Sequence, residues 1–311
     1  MKDVSIVIPV MNEEPNVKPM YEKTVKVLRA LKKDYEIIYV DDGSTDNTFE
    51  EIKKLNKADK NVKAIRFRRN FGKAAGLSSG FEYASGNIVI TMDGDLQDEP
   101  GEMPKFLELI DKGYDMVTGW KVTKHRESAL GLRKLPSLMF NSLAKRLTGL
   151  KIHDFNCPFK AYRNEVVKDL VLYGEMHRYI PALVHWKGYK IAEVKVLNYP
   201  RKFGKTKYGT KRILKGLLDL VTVKFLSSYQ NRPLHLFGFL GIASGLLGGI
   251  AGLYLFTQWI QGISIGSRPL LMLAVLLVVL GMQFGSIGLL GEMMTLSNET
   301  TRHSYSIREK L

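Results

Sequence analysis

The chain has 311 residues, of which 45% are hydrophobic, and its 46 Lys+Arg against 31 Asp+Glu give a formal net charge of +15. That composition excludes a disordered or fibrous protein, and the length provides for one large domain or two modest ones. A single cysteine, Cys157, excludes a disulfide framework and a cysteine-based zinc site.

The first 92 residues alternate strand and helix patterns. Residues 4–8 are a short apolar run that predicts a buried strand, and the run ending near Pro9 and Asn12 is too short for a signal peptide. Residues 14–31 carry helical spacing at Val17, Met20, Val25 and Leu28, and 36–40 is the next strand. Asp46 is expected to cap a helix reaching about residue 55, with Glu50 and Glu51 in its first turn. Residues 62–67 and 88–92 predict two further strands with a small-residue helix over 73–84 between them. Such alternation implies an α/β domain with a mostly parallel sheet and a ligand at the carboxyl ends of its strands.

The loops at those ends are acidic. The first strand runs into Pro9-Val10-Met11-Asn12-Glu13, the second into Asp41-Asp42-Gly43-Ser44-Thr45-Asp46, and the fourth into Asp93-Gly94-Asp95-Leu96-Gln97-Asp98. Three acidic clusters at one sheet edge repel one another unless a cation or hydrogen-bond donors lie among them. A divalent metal with a diphosphate is the economical explanation, because Asp93 and Asp95 stand two apart on one turn and Mg²⁺ or Mn²⁺ takes a few carboxylates plus phosphate oxygens. No glycine-rich phosphate loop follows the first strand, which counts against a dehydrogenase or an NTPase. Lys73 opens the helix after the third strand, within reach of a phosphate at that helix N-terminus.

Charge is uneven along the chain. Residues 1–114 hold 18 Lys+Arg and 20 Asp+Glu, net −2; residues 115–232 hold 24 and 8, net +16; residues 233–311 hold 4 and 3, net +1. A middle third this basic calls for an anionic partner: nucleic acid, a phosphorylated substrate or an anionic membrane. At its end, residues 210–229 place Ile213, Leu214, Leu217, Leu218, Val221 and Phe225 on one side, as in an amphipathic helix lying on a membrane surface.

Residues 234–260 and 269–291 contain no Asp, Glu, Lys or Arg. As helices each is about 34 Å long or more, enough for the roughly 30 Å hydrocarbon core, and the short connector 261–268 makes them a transmembrane hairpin. Nine Lys+Arg precede the first span from Arg201 to Arg232, whereas the connector has only Arg268, so both termini are expected on the cytoplasmic side. Gly241, Gly245 and Gly249, and Gly281 and Gly285, repeat at four-residue spacing, a pattern that allows close helix pairing within the hairpin or between protomers. With no Asp, Glu, Lys or Arg inside either span, a transport pathway is not indicated.

The segments VSIVIPVMNE (4–13), YVDDGSTD (39–46), NFGKAAG (70–76), DGDLQ (93–97) and RKFGKTKY (201–208) resemble the family 2 glycosyltransferases with a GT-A fold. Within that family the chain is most similar to polyisoprenyl-phosphate glycosyltransferases, the dolichyl-phosphate mannose synthase type and its bacterial undecaprenyl-phosphate glucose relatives. The resemblance covers effectively the whole chain. It implies a GT-A catalytic domain at 1–208, a juxtamembrane segment at 209–232, two spans within 233–291 and a cytoplasmic tail at 292–311. It further implies that Pro9, Val10, Glu13, Asp42 and Asp41 line the nucleoside pocket with Lys73 nearby, and that Asp93, Asp95 and Gln97 hold Mg²⁺ or Mn²⁺ and the donor diphosphate. Arg201 and Lys207 would close over the diphosphate, and Lys121, Arg133 and Ser137 would bind the acceptor phosphate. Asp154 falls where relatives carry an acidic residue near the sugar, and it is a candidate to orient a hydroxyl, act as a base, or pair with Lys160 or Arg163. His153, His177 and His185 lack metal-ligand spacing and read as structural or interfacial.

The expected reaction is inverting transfer of a hexose, UDP-glucose being the favoured donor, to undecaprenyl or dolichyl phosphate. A phosphate monoester has a second pKa of about 6 and is already largely dianionic at pH 7, so such an acceptor needs positive charge to dock it and no general base. The basic segment next to the membrane meets that need, and nucleic acid becomes the least favoured partner. Alternatives are GDP-mannose as donor, a processive polysaccharide synthase, for which a Gln-x-x-Arg-Trp motif and further spans are missing, and a nonenzymatic scaffold. Glycine stripes together with the resemblance point to a homo-oligomer.

Overall fold

The computed structural model describes residues 2–122, 149–150, 152–172, 174, 176–200, 233–297 and 307–310. These fall into two compact units, residues 2–200 with 307–310, and residues 233–297.

The first unit is built on β1 (Val4–Val10), α1 (Glu14–Ala30), β2 (Tyr35–Asp41), α2 (Thr48–Ala58), β3 (Val62–Phe67), α3 (Lys73–Tyr83), β4 (Ile88–Thr91), α4 (Met103–Asp111) and β5 (Met116–Val122). It continues with β6 (Lys160–Arg163), α5 (Asn164–Asp169), a 3₁₀ turn (Met176–Tyr179), α6 (Ile180–Trp186) and β7 (Ile191–Leu197), and a last strand, β8 (Ile307–Lys310), completes it. One eight-stranded sheet results, in the order β7-β5-β6-β4-β1-β2-β3-β8. The pairs of β1 with β2 and β4, of β2 with β3, and of β5 with β7 are parallel, while β6 runs antiparallel to β4 and β5, and β8 antiparallel to β3. The parallel centre is the one expected from the alternating pattern.

Two expectations need correction. The helix α2 begins at Thr48 with Asn47 at the N-cap position, one residue after Asp46. Asp46 still serves that helix end, since its Oδ1 accepts from Thr48 N–H at 3.0 Å and Thr48 Oγ1 at 2.5 Å. The region after the second apolar helix does more than form a tail, because β8 extends the sheet beside β3, with Ile65 opposite Lys310 and Phe67 opposite Ile307. A four-residue strand with alternating charge has no signal of its own; it exists because β3 offers an unpaired edge.

Every residue of β2 is buried, and β1 is buried apart from Pro9, as befits strands covered on both faces. The small residues of α3 let it lie close to β1. A Cβ at Gly80 would stand 2.2 Å from Val7 Cγ1, and one at Gly76 would stand 3.3 Å from Pro9 Cβ. A charge is built into this core: Glu36, fully buried, accepts from Ser5 Oγ at 2.5 Å and from Ser85 N–H at 2.7 Å, and pairs with Lys63 Nζ at 2.5 Å. Burial works to raise its carboxyl, but Lys63 and the hydrogen bonds outweigh it and hold the group below the ordinary value.

The second unit pairs α7 (Pro233–Ile260) with α8 (Pro269–Ser297), both long and apolar enough to cross a membrane. The helix α8 runs past Gly291, where the apolar span was expected to end, to Ser297. Phe239, Leu246, Trp259, Met272 and Leu289 are all exposed on these helices, an apolar surface far larger than water tolerates on a small protein. The helices meet at glycine: a Cβ on Gly281 would lie 2.8 Å from Gly241 O, and one on Gly248 would lie 2.8 Å from Ala274 O. Gly249, by contrast, has open space beside it.

Replacing Gly80 by Ala is expected to destabilise the protein by about 1–3 kcal/mol through overpacking against Val7, seen as a lower thermal midpoint, whereas Gly249→Ala leaves the midpoint near wild type. Glu36→Gln is expected to lower stability by about 1–3 kcal/mol at neutral pH. A depressed carboxyl stabilises the fold above its unfolded value and loses that contribution as pH falls through the folded one, so the gap between wild type and Glu36→Gln should close below the ordinary value of 4.5 in pH-dependent unfolding curves.

Candidate active site

Because β4, β1 and β2 are parallel neighbours, the loops leaving their carboxyl ends meet above one edge of the sheet. The first two loops are stitched together. Asn12, in the left-handed region at φ 52, donates its N–H to Ser44 Oγ at 2.9 Å, its Oδ1 accepts from Thr45 N–H at 2.8 Å, and Glu13 N–H donates to Thr48 Oγ1 at 2.8 Å. The Glu13 carboxylate accepts from Asn16 Nδ2 at 2.6 Å.

Asp41 and Asp42 are adjacent but point apart. Asp41, the last residue of β2, is fully buried, accepts from Ser44 N–H at 2.9 Å and lies 3.2 Å from Arg66 Nε. Asp42 faces the open edge and accepts from the N–H groups of Phe71 at 2.7 Å and Gly72 at 3.0 Å, so it holds the loop that leads into α3. Burial pushes both carboxyls up, against the pull of these donors. Gly43 is required between them and Ser44: its φ is +75, and a Cβ there would lie 2.6 Å from Arg69 C.

The third cluster sits on a turn held open by Leu96 at φ 60. Asp95 Oδ1 accepts from Gln97 N–H at 3.2 Å, and Lys73, the first residue of α3, pairs with Asp93. Burial favours the neutral form of Asp93, yet the Lys73 charge prevails and holds the carboxyl down. Behind it Asp98, its side chain fully buried, lies 3.7 Å from Lys121 Nζ at the end of β5. Burial pushes Asp98 up to about 6 despite Lys121. Lys121 in turn is held above its ordinary value by Asp98, against its own burial.

These side chains surround a cavity of about 440 Å³. Pro9, Val10, Glu13, Asp42, Lys73, Asp93, Asp95, Gln97 and Lys121, all singled out in the sequence, line it. Asp41 and Asp154 do not. Asp41 is turned into the interior by the alternation of β2, and Asp154 Oδ1 accepts from Asn156 N–H at 3.0 Å while its own N–H donates to Glu193 at 3.0 Å. Arg133, Ser137, Arg201 and Lys207 lie outside the described residues. Asn156, Pro158 and Arg178 line the cavity without having been singled out from the sequence. His177 had been read as structural or interfacial; the 3₁₀ turn before α6 brings it to the wall of the cavity.

The donor set fits a hard divalent cation. Asp93 and Asp95 present carboxylate oxygens from one turn into the same open cavity, with Gln97 beside them. Among the described residues no group of three or more His, Cys, Asp or Glu that could hold a metal ion comes together.

The cavity thus lies over the carboxyl edge of a mixed α/β sheet, lined by Asp42, Asp93 and Asp95 and by Lys73, Lys121 and Arg178. Residues 5–171 match the family model of glycosyl transferase family 2, and the chain belongs to that family and is a glycosyltransferase. It is 38% identical over 314 residues to a dodecaprenyl-phosphate galacturonate synthase of Rhizobium johnstonii, covering 99% of this chain and 92% of the relative. It is 34% identical over 300 residues to an undecaprenyl-phosphate 4-deoxy-4-formamido-L-arabinose transferase of Yersinia pestis, covering 94% and 88%. The fold is shared with glucosyl-3-phosphoglycerate synthase from Mycobacterium tuberculosis, crystallised with Mn²⁺ and UDP-glucose, at a TM-score of 0.55 and 17% identity over 73% of this chain and 79% of that one.

Asp42→Ala leaves the Phe71 and Gly72 N–H groups without their acceptor, and nucleotide affinity is expected to fall about tenfold or more in calorimetric titration with UDP.

Proposed function

We propose that the protein is a membrane-bound glycosyltransferase that moves a hexose from a nucleoside diphosphate sugar to a polyisoprenyl phosphate. The observation that carries this reading is the cavity in which Asp42, Asp93 and Asp95 face Lys73, Lys121 and Arg178, in a chain that also holds an apolar helical hairpin. Two relatives that match nearly the full chain are named for transfer to dodecaprenyl and undecaprenyl phosphate, which supports the lipid acceptor. Their sugars differ, so the sugar is the variable of this group, and UDP-glucose is the donor to test first, with UDP-galacturonate and GDP-mannose beside it.

In this reading the nucleoside rests against Pro9, Val10 and Asp42, and the diphosphate lies over Asp93, Asp95 and Lys73. Bound at Asp93, Asp95 and Gln97, Mg²⁺ or Mn²⁺ would neutralise the departing diphosphate. Arg201 and Lys207 close over the donor diphosphate, and Lys121, with Arg133 and Ser137, docks the anionic acceptor, whose phosphate oxygen attacks the anomeric carbon in line and inverts it. No protein base is required, because the acceptor is already ionised. The Asp154 carboxylate, engaged with its own turn, is consistent with that. The pairing of β8 with β3 supports a topology in which the chain after the second span returns to the side of the catalytic domain, the cytoplasmic side by the Lys+Arg asymmetry.

Incubation of the purified protein with radiolabelled nucleotide sugars, a divalent cation and undecaprenyl or dolichyl phosphate is expected to move label into the organic phase. Absence of label with every donor overturns the function. Asp95→Ala should abolish transfer while the thermal midpoint stays close to wild type; metal-dependent turnover retained in that variant removes Asp95 from its assigned role.

A further inference from the structure

Asp98 stands where the turn after β4 meets the chain leaving β7. Its backbone forms an antiparallel bridge with Asn198, and the neighbouring Gln97 O accepts from Tyr199 N–H at 2.9 Å and from Asn198 Nδ2 at 3.2 Å. The residue is 1% exposed. Its two carboxylate oxygens reach different parts of the site. Oδ2 accepts from Asp93 N–H at 3.4 Å, within the turn that the proposed reaction gives to the donor diphosphate. Oδ1 lies 3.7 Å from Nζ of Lys121, the ammonium that the same reaction gives to the acceptor phosphate.

The second contact is an ion pair without a hydrogen bond. Oδ1 is buried and has no hydrogen-bond partner among the described residues, and 3.7 Å is too long for an ammonium proton to be committed to it. Asp98 thus attracts Lys121 without consuming its donors. An ammonium has three of these and accepts nothing, and Lys121 lines the cavity, so the pairing leaves its protons to an anion that enters.

The strand alone does not give the ammonium that place. The Lys121 backbone is fixed in β5 opposite Val196, but its charge is carried on a flexible four-carbon stem. Two carboxylates near it are engaged elsewhere, Asp93 with Lys73 and Asp154 with its own turn. Asp98 is anchored by the bridge to Asn198 and by the Asp93 N–H, so a lysine drawn to it takes its position from the donor turn. We infer that Asp98 is a positioning residue of the reaction, which holds the Lys121 ammonium at the cavity wall, in register with the Asp93 turn, to receive the anionic acceptor. This inference rests on the function proposed above and adds to it the group that places the acceptor-binding lysine.

The sign of the effect follows from the geometry. No hydrogen bond to Asp98 has to be given up when a phosphate arrives, so removing the carboxylate does not free Lys121 for the acceptor. It takes the counter-charge from a side chain that is only 26% exposed, and an ammonium in that state leaves its place.

Asp98→Asn separates the two contacts, because its amide oxygen still accepts from Asp93 N–H while the charge opposite Lys121 is gone. In the extraction assay, with the nucleotide sugar that moves label into undecaprenyl phosphate, this variant should raise the KM for undecaprenyl phosphate about tenfold, with kcat changed less than KM. The donor KM and the calorimetric affinity for UDP should stay within about twofold of wild type. Lys121→Met should raise the acceptor KM at least as much, and Asp98→Asn should add nothing in the Lys121→Met background. If Asp98→Asn does not fold, Asp98→Ser, also neutral and polar, carries the same expectations. An unchanged or lowered acceptor KM, a loss confined to kcat, an equal rise in donor KM, or additive losses in the double variant overturn the inference. A wild type that moves no label brings down the reaction itself, a result distinct from a wild type that transfers and an Asp98→Asn that does so with the same acceptor KM.

Discussion

The concentration of carboxylates at one edge of a parallel sheet is the constraint around which the catalytic unit is arranged. Asp41, Asp42, Asp93, Asp95 and Asp98 approach one another because β2, β1 and β4 run side by side and end together. Left alone they would repel, and burial makes ionisation harder still. The fold answers each one separately, Asp95 through the N–H of Gln97. Arg66 stands against Asp41, backbone N–H groups of Phe71 and Gly72 hold Asp42, Lys73 holds Asp93, and Lys121 faces Asp98. Only Asp42, Asp93 and Asp95 of this set reach the cavity, so the edge is divided into carboxylates turned into the fold and carboxylates that line the cavity.

The same division explains the backbone. Asn12, Gly43, Leu96 and Gly72 all adopt positive φ, and all lie in the loops around the cavity. Such conformations persist only where neighbours over-determine them. Here the neighbours are the bonds that tie the first loop to the second and the second to the segment entering α3. The carboxylates that line the cavity are therefore held in place by the fold itself.

The two helices that follow are long and apolar enough to cross a membrane. Their outward faces carry Phe239, Leu246, Trp259 and Met272, and their contact is made by glycines that bring backbones together. In hydrocarbon no hydrophobic force drives helices together, so close packing and small residues take that role. The return of β8 to the edge of β3 links the chain beyond this hairpin to the catalytic sheet, covering an edge that would otherwise offer unpaired backbone groups.

The amino-acid sequence by itself determined the alternating strands and helices, the acidic loops after them, and the apolar hairpin, because each is written in local periodicity, local charge or an unbroken apolar run. Glu13, Asp42, Asp93, Asp95 and Gln97 were legible because they follow strand ends, Lys73 because it opens the next helix, and Pro9 through the family resemblance of the first strand. Only the tertiary structure decided that Asp41 turns inward while Asp42 turns out, since one residue of strand alternation separates them. It also decided that Asp154 spends its carboxylate on its own turn. His177, Arg178 and Asn156 reach the cavity across more than sixty residues of chain from the Asp93 turn, and no local pattern encodes that distance. The strand β8 is the extreme case, because its pairing is specified by an edge formed from residues 62–67, at the other end of the chain.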